Sequence, residues 1–164
     1  LASKVNIGSD GLLLYPFGNG SERMFNNNEI GSCFKNLNLN LHSNSHLYRA
    51  TLEGIAFSFM YGMEILIQDN FSPSLVRAGN DNLFQSDLFS QTISTLIDRE
   101  IEIFDSTGAY GAARAVGCEP NDFKSYSEKI TKNDYVKSFT PQKQKGLYLD
   151  AYKTWKKNLE KIIN

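Results

Sequence analysis

SLVRAGNDNLFQSDLFSQTISTLIDREIEIFDSTGAYGAARAVG, residues 74–117, is the stretch that decides the fold class. It opens with a short β-prone run that ends at Gly79, and Ser86 or Asp87 can cap the helix that follows. EIEIF at 100–104 alternates as a strand does, and a turn then leads into a helix of small residues, AYGAARAVG. Two strand-to-helix units in succession predict an α/β domain with crossover connections.

Three further elements precede this stretch. GLLLYPF at 11–17 is a short apolar run followed by a glycine-rich loop, which is typical of a buried strand. Residues 31–41 alternate loosely and predict a second extended segment. Apolar residues then recur at helical spacing, which predicts the longest helix over roughly 45–68 with Asn44 or Ser45 as its cap.

The C-terminal part of the chain is more polar and predicts helices. A weakly helical stretch lies near Tyr126–Ile130, and the last helix is predicted to start at Thr140 and Pro141, a cap followed by proline. That helix carries an apolar stripe containing Trp155, which indicates a packing face or a contact with another lobe.

Length and composition predict one domain. A chain of 164 residues with 41% apolar side chains can bury a sizeable core. We expect a single domain over 1–164, with its core at about 10–118 and a C-terminal helical extension at about 119–164. The chain begins without an initiator Met or a secretion signal, so we expect it to be part of a longer protein.

Charge, cysteine use and hydropathy exclude several classes of partner. Seventeen basic residues stand against eighteen acidic ones, and this net charge of −1 gives no broad field to attract nucleic acid. Cys33 and Cys118 form no CxxC pair, which favours a reducing, cytoplasmic location over a disulfide or zinc framework. The apolar stretches near 12–15 and 55–66 are too short or too interrupted to span a bilayer, so no membrane partner is expected.

Four segments together resemble the motifs of the FGGY carbohydrate kinases, most closely the xylulokinase branch. The family pattern has a strand ending in Pro and then NGER, an RAxxEG helix, a strand with a glycine loop, and a GAAxxAxG helix. In this chain the matching segments are, in the same order, GLLLYPFGNGSER, RATLEG, VRAGNDN and GAYGAARAVG. The match covers about residues 10–118, and its specificity comes from the four motifs occurring jointly.

The resemblance implies a ribonuclease H-like fold shared with actin and hexokinase, as the C-terminal lobe of a two-lobed sugar kinase. It implies ATP with Mg²⁺ as cofactors, a small sugar as substrate, with D-xylulose first and ribulose, gluconate or glycerol as alternatives, and the N-terminal lobe of the same chain as partner. The aspartate base belongs to that N-terminal lobe, so no residue of this chain is assigned a catalytic role. A non-catalytic nucleotide-binding or scaffold module, a purely structural α/β domain and a homodimer remain open.

The resemblance places adenosine near Gly79, with hydrogen bonds from Asn80, Asn82 and Ser86, and it ranks Gly108 behind them. A glycine at a strand end lets a ligand approach the backbone, and the following helix start presents free N–H groups. The family usually has two or three consecutive glycines at this loop, whereas this chain has AGNDN. The alternative is that Gly79 only supplies a positive φ between strand and loop.

Other polar pairs have structural explanations. Arg49 and Glu53 match RAxxEG, and their spacing of four equally predicts an ion pair within one helix, with Gly54 allowing a neighbouring element to approach. His42 and His46 are also four apart, but no carboxylate completes a site, so no metal is expected.

Overall fold

The computed structural model describes residues 1–20, 22–118 and 122–163. The described residues form five strands and five helices, joined by loops and short 3-10 turns. In chain order the elements are β1 (Leu13–Phe17), β2 (Gly31–Lys35), α1 (Asn44–Gln68), β3 (Leu75–Gly79), α2 (Asp87–Ile97), β4 (Glu100–Phe104), α3 (Gly108–Val116), α4 (Phe123–Asp134), β5 (Tyr135–Phe139) and α5 (Lys145–Ile163). Ser21, within the GNGSER segment, and residues 119–121 lie outside the described residues.

The strands form two small sheets. β1 and β2 pair antiparallel, while β3, β4 and β5 form a mixed sheet in that order. β3 and β4 are parallel, and α2 is the crossover between them. β5 runs antiparallel to β4. The predicted α/β class and its crossover connection are therefore confirmed.

Polar caps fix where the helices begin. α1 starts after its cap Ser43, whose backbone N–H donates to His46 Nδ1 at 3.1 Å, so the predicted cap at Asn44 or Ser45 is wrong by one or two residues. Of the two predicted candidates, Ser86 and Asp87, Ser86 caps α2, because its Oγ accepts a hydrogen bond from Phe89 N at 3.4 Å.

The predicted second strand is shorter than expected. β2 ends at Lys35, and Asn36 takes a left-handed φ of 64° that ends the extended run. The chain then turns around Asn38, whose carbonyl accepts from Leu41 N at 3.1 Å and from His42 N at 2.8 Å. The alternation at 36–41 therefore does not belong to a strand.

The predicted start of the last helix at Thr140 and Pro141 is wrong, because α5 begins at Lys145. Both residues instead connect β5 to α5. Gln91 Nε2 of α2 donates to the Thr140 carbonyl at 2.7 Å and holds this connection against the preceding helix. The sequence prediction also missed β5, whose ladder partner lies more than thirty residues away along the chain.

One core lies between β1, α1 and α5. Trp155 is fully buried there, and its Nε1 donates to Leu14 O at 2.7 Å. The ring packs beside those of Tyr15, Phe57 and Tyr152, with centroids 5.4 to 6.1 Å away. The predicted packing role of the Trp155 stripe is confirmed, and the C-terminal helix supplies the centre of this core.

A second core joins α1 and α2 to the mixed sheet. Its fully or nearly fully buried members include Ala56, Phe89, Ile93, Ile101 and Ile103. Because α1 contributes to both cores, it holds the two sheets in one arrangement.

α1 is the one helix, among the described residues, with the length and hydropathy of a membrane span. It has 25 residues, and its most apolar window has a mean hydropathy of 1.3. Core helices of soluble proteins share these properties, and α1 packs against β1 and α2. This helix is therefore only weak evidence for a membrane.

The Arg49–Glu53 pair is a buried network. Arg49 Nε donates to Glu53 Oε1 at 2.7 Å, and both side chains are about 95% buried or more. The remaining Glu53 lone pairs accept from Gly8 N at 3.0 and 3.2 Å and from Ser9 Oγ at 2.9 Å. Arg49 Nη2 donates to Tyr148 OH at 2.9 Å. The pair therefore ties the N-terminal segment to α1 and α5.

Gly54→Ala is expected to destabilise the fold, as the predicted close approach at Gly54 is present. A Cβ there would lie 2.4 Å from Leu14 O in β1, and such overpacking costs about 1–3 kcal/mol. Gly62→Ala in the same helix is the matched control, because its Cβ would meet no atom within 4 Å. We expect that change to stabilise by about 0.5–1 kcal/mol through helix propensity. Urea unfolding measures both; equal effects of the two substitutions would refute the packing argument.

Candidate functional site

Two turns meet where the parallel strands β3 and β4 end. Gly79 lies opposite Phe104 in the sheet register, and Asn80 N donates to Phe104 O at 2.7 Å. A Cβ on Gly79 would lie 2.3 Å from Ser106 O, so only glycine permits this approach of the two turns. Gly79 does not have a positive φ, so its requirement is space and not a left-handed backbone.

A cavity of about 350 Å³ opens between these turns, and we call it the Gly79–Gly108 cavity. Besides the two glycines, its walls include Arg77 and Asp81. Arg77 Nε pairs with Glu102 at 2.9 Å, and the side chain is 57% exposed. The structure therefore brings two of the predicted residues together beside one cationic side chain.

A second cavity of about 410 Å³ also borders the turn between β4 and α3, and we call it the Asn80–Arg114 cavity. Ser106 and Thr107 line both cavities, which are therefore adjacent. The Asn80–Arg114 cavity has polar and charged walls. In addition to Ser106 and Thr107, it is lined by Asn80, Asp105, Tyr110, Arg114 and Asp134.

Local structure fixes the turn between the cavities. Thr107 caps α3, because its Oγ1 accepts from Tyr110 N at 3.2 Å. On the other strand, Gln85 Nε2 donates to the Asn80 carbonyl at 3.3 Å. Hydrogen bonds thus hold both turns in shape.

Arg114 is clamped in the wall of the Asn80–Arg114 cavity. It forms a two-pronged ion pair with Asp134, in which Nη2 lies 3.3 Å from Oδ1 and Nη1 bonds Oδ2. Its Cζ lies 4.1 Å from the ring centroid of Tyr110, a cation–π contact. The hydrogen bond with Asp134 raises the pKa of Arg114, so the guanidinium stays charged.

Asn82 and Ser86 have other positions. Asn82 is exposed and begins a 3-10 turn with a φ of 46°. The side-chain oxygen of Ser86 accepts the hydrogen bond that caps α2. Neither of them lines the two cavities. Their assignment to adenosine stays a prediction, whereas Gly79, Asn80 and Gly108 are together at the cavities.

Sequence reasoning missed Tyr110, Arg114 and Asp134. The first two are four apart in α3, a spacing that places them on one helix face and could have indicated a pair. Asp134 lies twenty residues further on, and no local pattern connects it to Arg114.

The last residues of the GLLLYPFGNGSER segment and the His42–His46 pair do not line the two cavities. Glu22 forms a bridge with Asn28, and Arg23 opens a short 3-10 turn. His46 Nε2 lies 3.1 Å from Asp10 Oδ2, but within the described ranges no three His, Cys, Asp or Glu side chains gather in an arrangement that could hold a metal ion.

The fold and the cavities define an α/β lobe with a polar site at the carboxyl edge of its parallel strands. No protein-family model and no curated protein matches the chain. Solved structures do match it. The chain is 21% identical to a ligand-bound xylulose kinase from Lactobacillus acidophilus, with a TM-score of 0.75, and the match covers 98% of this chain and 33% of that one.

Two further structures give the same result. A xylulose kinase from Rhodospirillum rubrum is 20% identical, with a TM-score of 0.74 and coverage of 98% and 32%. A glycerol kinase from Plasmodium falciparum, solved with ADP, is 18% identical, with a TM-score of 0.77 and coverage of 99% and 33%. In fold, this chain matches the C-terminal lobe of these sugar kinases, and it spans about a third of their length.

Proposed function

We propose that this chain is the nucleotide-binding C-terminal part of an ATP-dependent sugar kinase, with D-xylulose as the first substrate to test. The observation that carries the proposal is the pair of adjacent cavities at the carboxyl ends of β3 and β4. Open α/β sheets bind their ligands at this edge. Each cavity, about 350 and 410 Å³, is within the range of small-molecule sites.

The walls of the cavities fit a nucleotide. In the proposed complex, the side-chain amide of Asn80 and the backbone of the turn at Thr107 are available to the base and ribose. The guanidinium of Arg77 supplies a positive charge for a phosphate. The same residues would therefore hold a molecule that is polar at one end and anionic at the other. ATP has this character.

Phosphoryl transfer depends mainly on placing donor and acceptor in line. In the proposed enzyme this chain holds the adenosine end, and an aspartate of the N-terminal lobe deprotonates the sugar hydroxyl. Mg²⁺ usually binds through substrate phosphates with one or two carboxylates, and within the described residues no group of three or more His, Cys, Asp or Glu side chains is arranged to hold a metal ion. We therefore assign it no ligand on this chain.

Support for the sugar comes from the matching structures, which include xylulose kinases as well as a gluconate kinase and a glycerol kinase. D-xylulose is our first choice, and gluconate, glycerol and ribulose are the alternatives. We also propose a cytoplasmic location, the N-terminal lobe as the chief partner, and a homodimer as the second assembly to test.

Binding of ATP, ADP and adenosine to the purified chain tests this proposal by calorimetry. We expect all three to bind, with no transfer of phosphate to D-xylulose because the aspartate base is not among these residues. If none of the three ligands binds, the proposal is refuted. Turnover by the chain alone would refute the assignment of the base to the other lobe.

A matched pair of variants locates the binding. Gly108→Leu adds a side chain at a residue that lines the Gly79–Gly108 cavity, where a Cβ would meet no atom within 4 Å. Gly146→Leu adds the same side chain in open space at the start of α5. We expect a loss of affinity for ATP of about tenfold or more in the first variant, which corresponds to about 1.4 kcal/mol, and no change in the second.

A further inference from the structure

We propose that Arg114 and Tyr110 form the wall on which the nucleotide base stacks, so that the base lies in the Asn80–Arg114 cavity and the phosphates point to the Gly79–Gly108 cavity. This inference rests on the proposed function and adds to it an orientation and a specific binding surface.

The first argument is the rigidity of the guanidinium plane. Asp134 holds Arg114 through both carboxylate oxygens, and the Tyr110 ring covers it at 4.1 Å. Guanidinium planes and aromatic rings are the surfaces on which unpaired bases stack. Arg114 is 23% exposed and Tyr110 54% exposed, and both side chains line the Asn80–Arg114 cavity. A side chain that is already fixed loses little entropy when a ligand stacks on it.

The second argument is charge. The Asn80–Arg114 cavity contains two carboxylates, Asp105 and Asp134, against one guanidinium. Such a wall disfavours a phosphate but accepts hydrogen bonds from ribose hydroxyls or an exocyclic amine. The Gly79–Gly108 cavity has one carboxylate, on Asp81, and the guanidinium of Arg77. Arg77 is 57% exposed and pairs with Glu102 through Nε, whereas both Nη atoms of Arg114 are paired with Asp134, so Arg77 is the more available cation. The anionic end of the ligand therefore belongs on that side.

The test compares adenosine and ADP on the full 164-residue chain and three variants. Arg114→Lys keeps the charge but removes the plane. We expect it to weaken adenosine and ADP equally, by about tenfold, within the range known for base stacking. Tyr110→Leu removes the ring and leaves the Arg114–Asp134 pair, so it serves as the second stacking variant if Arg114→Lys unfolds the chain. Arg77→Gln should weaken ADP at least threefold and leave adenosine unchanged.

The possible results separate this inference from the proposed function. If the unaltered chain binds adenosine, and Tyr110→Leu and Arg114→Lys bind it equally well, the stacking wall is refuted while the proposed function stands. If Arg77→Gln weakens adenosine as much as ADP, the orientation is refuted. If the unaltered chain binds neither ligand, the proposed function fails and this inference fails with it.

Discussion

Gly79→Ala is expected to lower the free energy of unfolding by about 2–3 kcal/mol, at the upper end of overpacking effects. The added Cβ would lie 2.3 Å from Ser106 O, and that atom belongs to the backbone of the neighbouring turn. The turn cannot yield easily, because Ser106 N donates to Phe104 O at 2.8 Å and Asn80 N donates to the same carbonyl at 2.7 Å. For a chain of this size the loss corresponds to a fall of roughly 4–12 °C in the melting temperature.

The same substitution should abolish measurable ATP binding, since the two displaced turns form walls of both cavities. Gly108→Ala is the control for stability, because its Cβ would meet no atom within 4 Å. We expect Gly108→Ala to change the free energy of unfolding by less than about 0.5 kcal/mol. Thermal and urea unfolding measure the stability of both variants. If Gly79→Ala is as stable as the parent protein, the close approach of the two turns is not required for the stability of the fold.

The parts of the fold that the sequence predicted well are those with a local cause. The alternation in EIEIF predicted β4 with the bounds that the structure has, Glu100–Phe104. The cap of α2 was narrowed to Ser86 or Asp87, because such residues before an apolar helical run commonly cap it, and Ser86 is the cap in the structure. The glycine that was expected to end the third strand does end β3, and the approach of a ligand to Gly79 stays a prediction.

The parts that failed depend on contacts between distant residues. YVKSF at 135–139 has no strong period, and it forms a strand because β4 offers it an edge. The four-residue spacing of Arg49 and Glu53 predicted an ion pair but could not predict its burial, since Gly8 and Ser9 approach from over forty residues upstream. Spacing along a helix gives neighbours on one face and says nothing about what covers that face.

Glu53→Gln is the second large effect we expect, because it leaves a buried guanidinium without its counter-ion. Glu53 accepts hydrogen bonds from Arg49, Gly8 and Ser9, and a neutral amide can serve only some of these donors. Breaking a buried pair by removing one charge costs about 3–5 kcal/mol. We expect a loss of that size in urea unfolding, with the N-terminal segment released from α1.

The matched control for Glu53→Gln is Asp150→Asn. Asp150 also pairs with a cation on its own helix, Lys153 Nζ at 3.3 Å, but both side chains are more than 70% exposed. Exposed pairs contribute about 0.2–1 kcal/mol at most, since water and salt screen them. If the two variants lose the same stability, burial does not decide the strength of the Arg49–Glu53 pair. If only Glu53→Gln is strongly destabilised, the RAxxEG segment of this chain acts as a structural clamp that ties the N-terminal segment to α1 and α5, and this structural role explains its glutamate without a ligand.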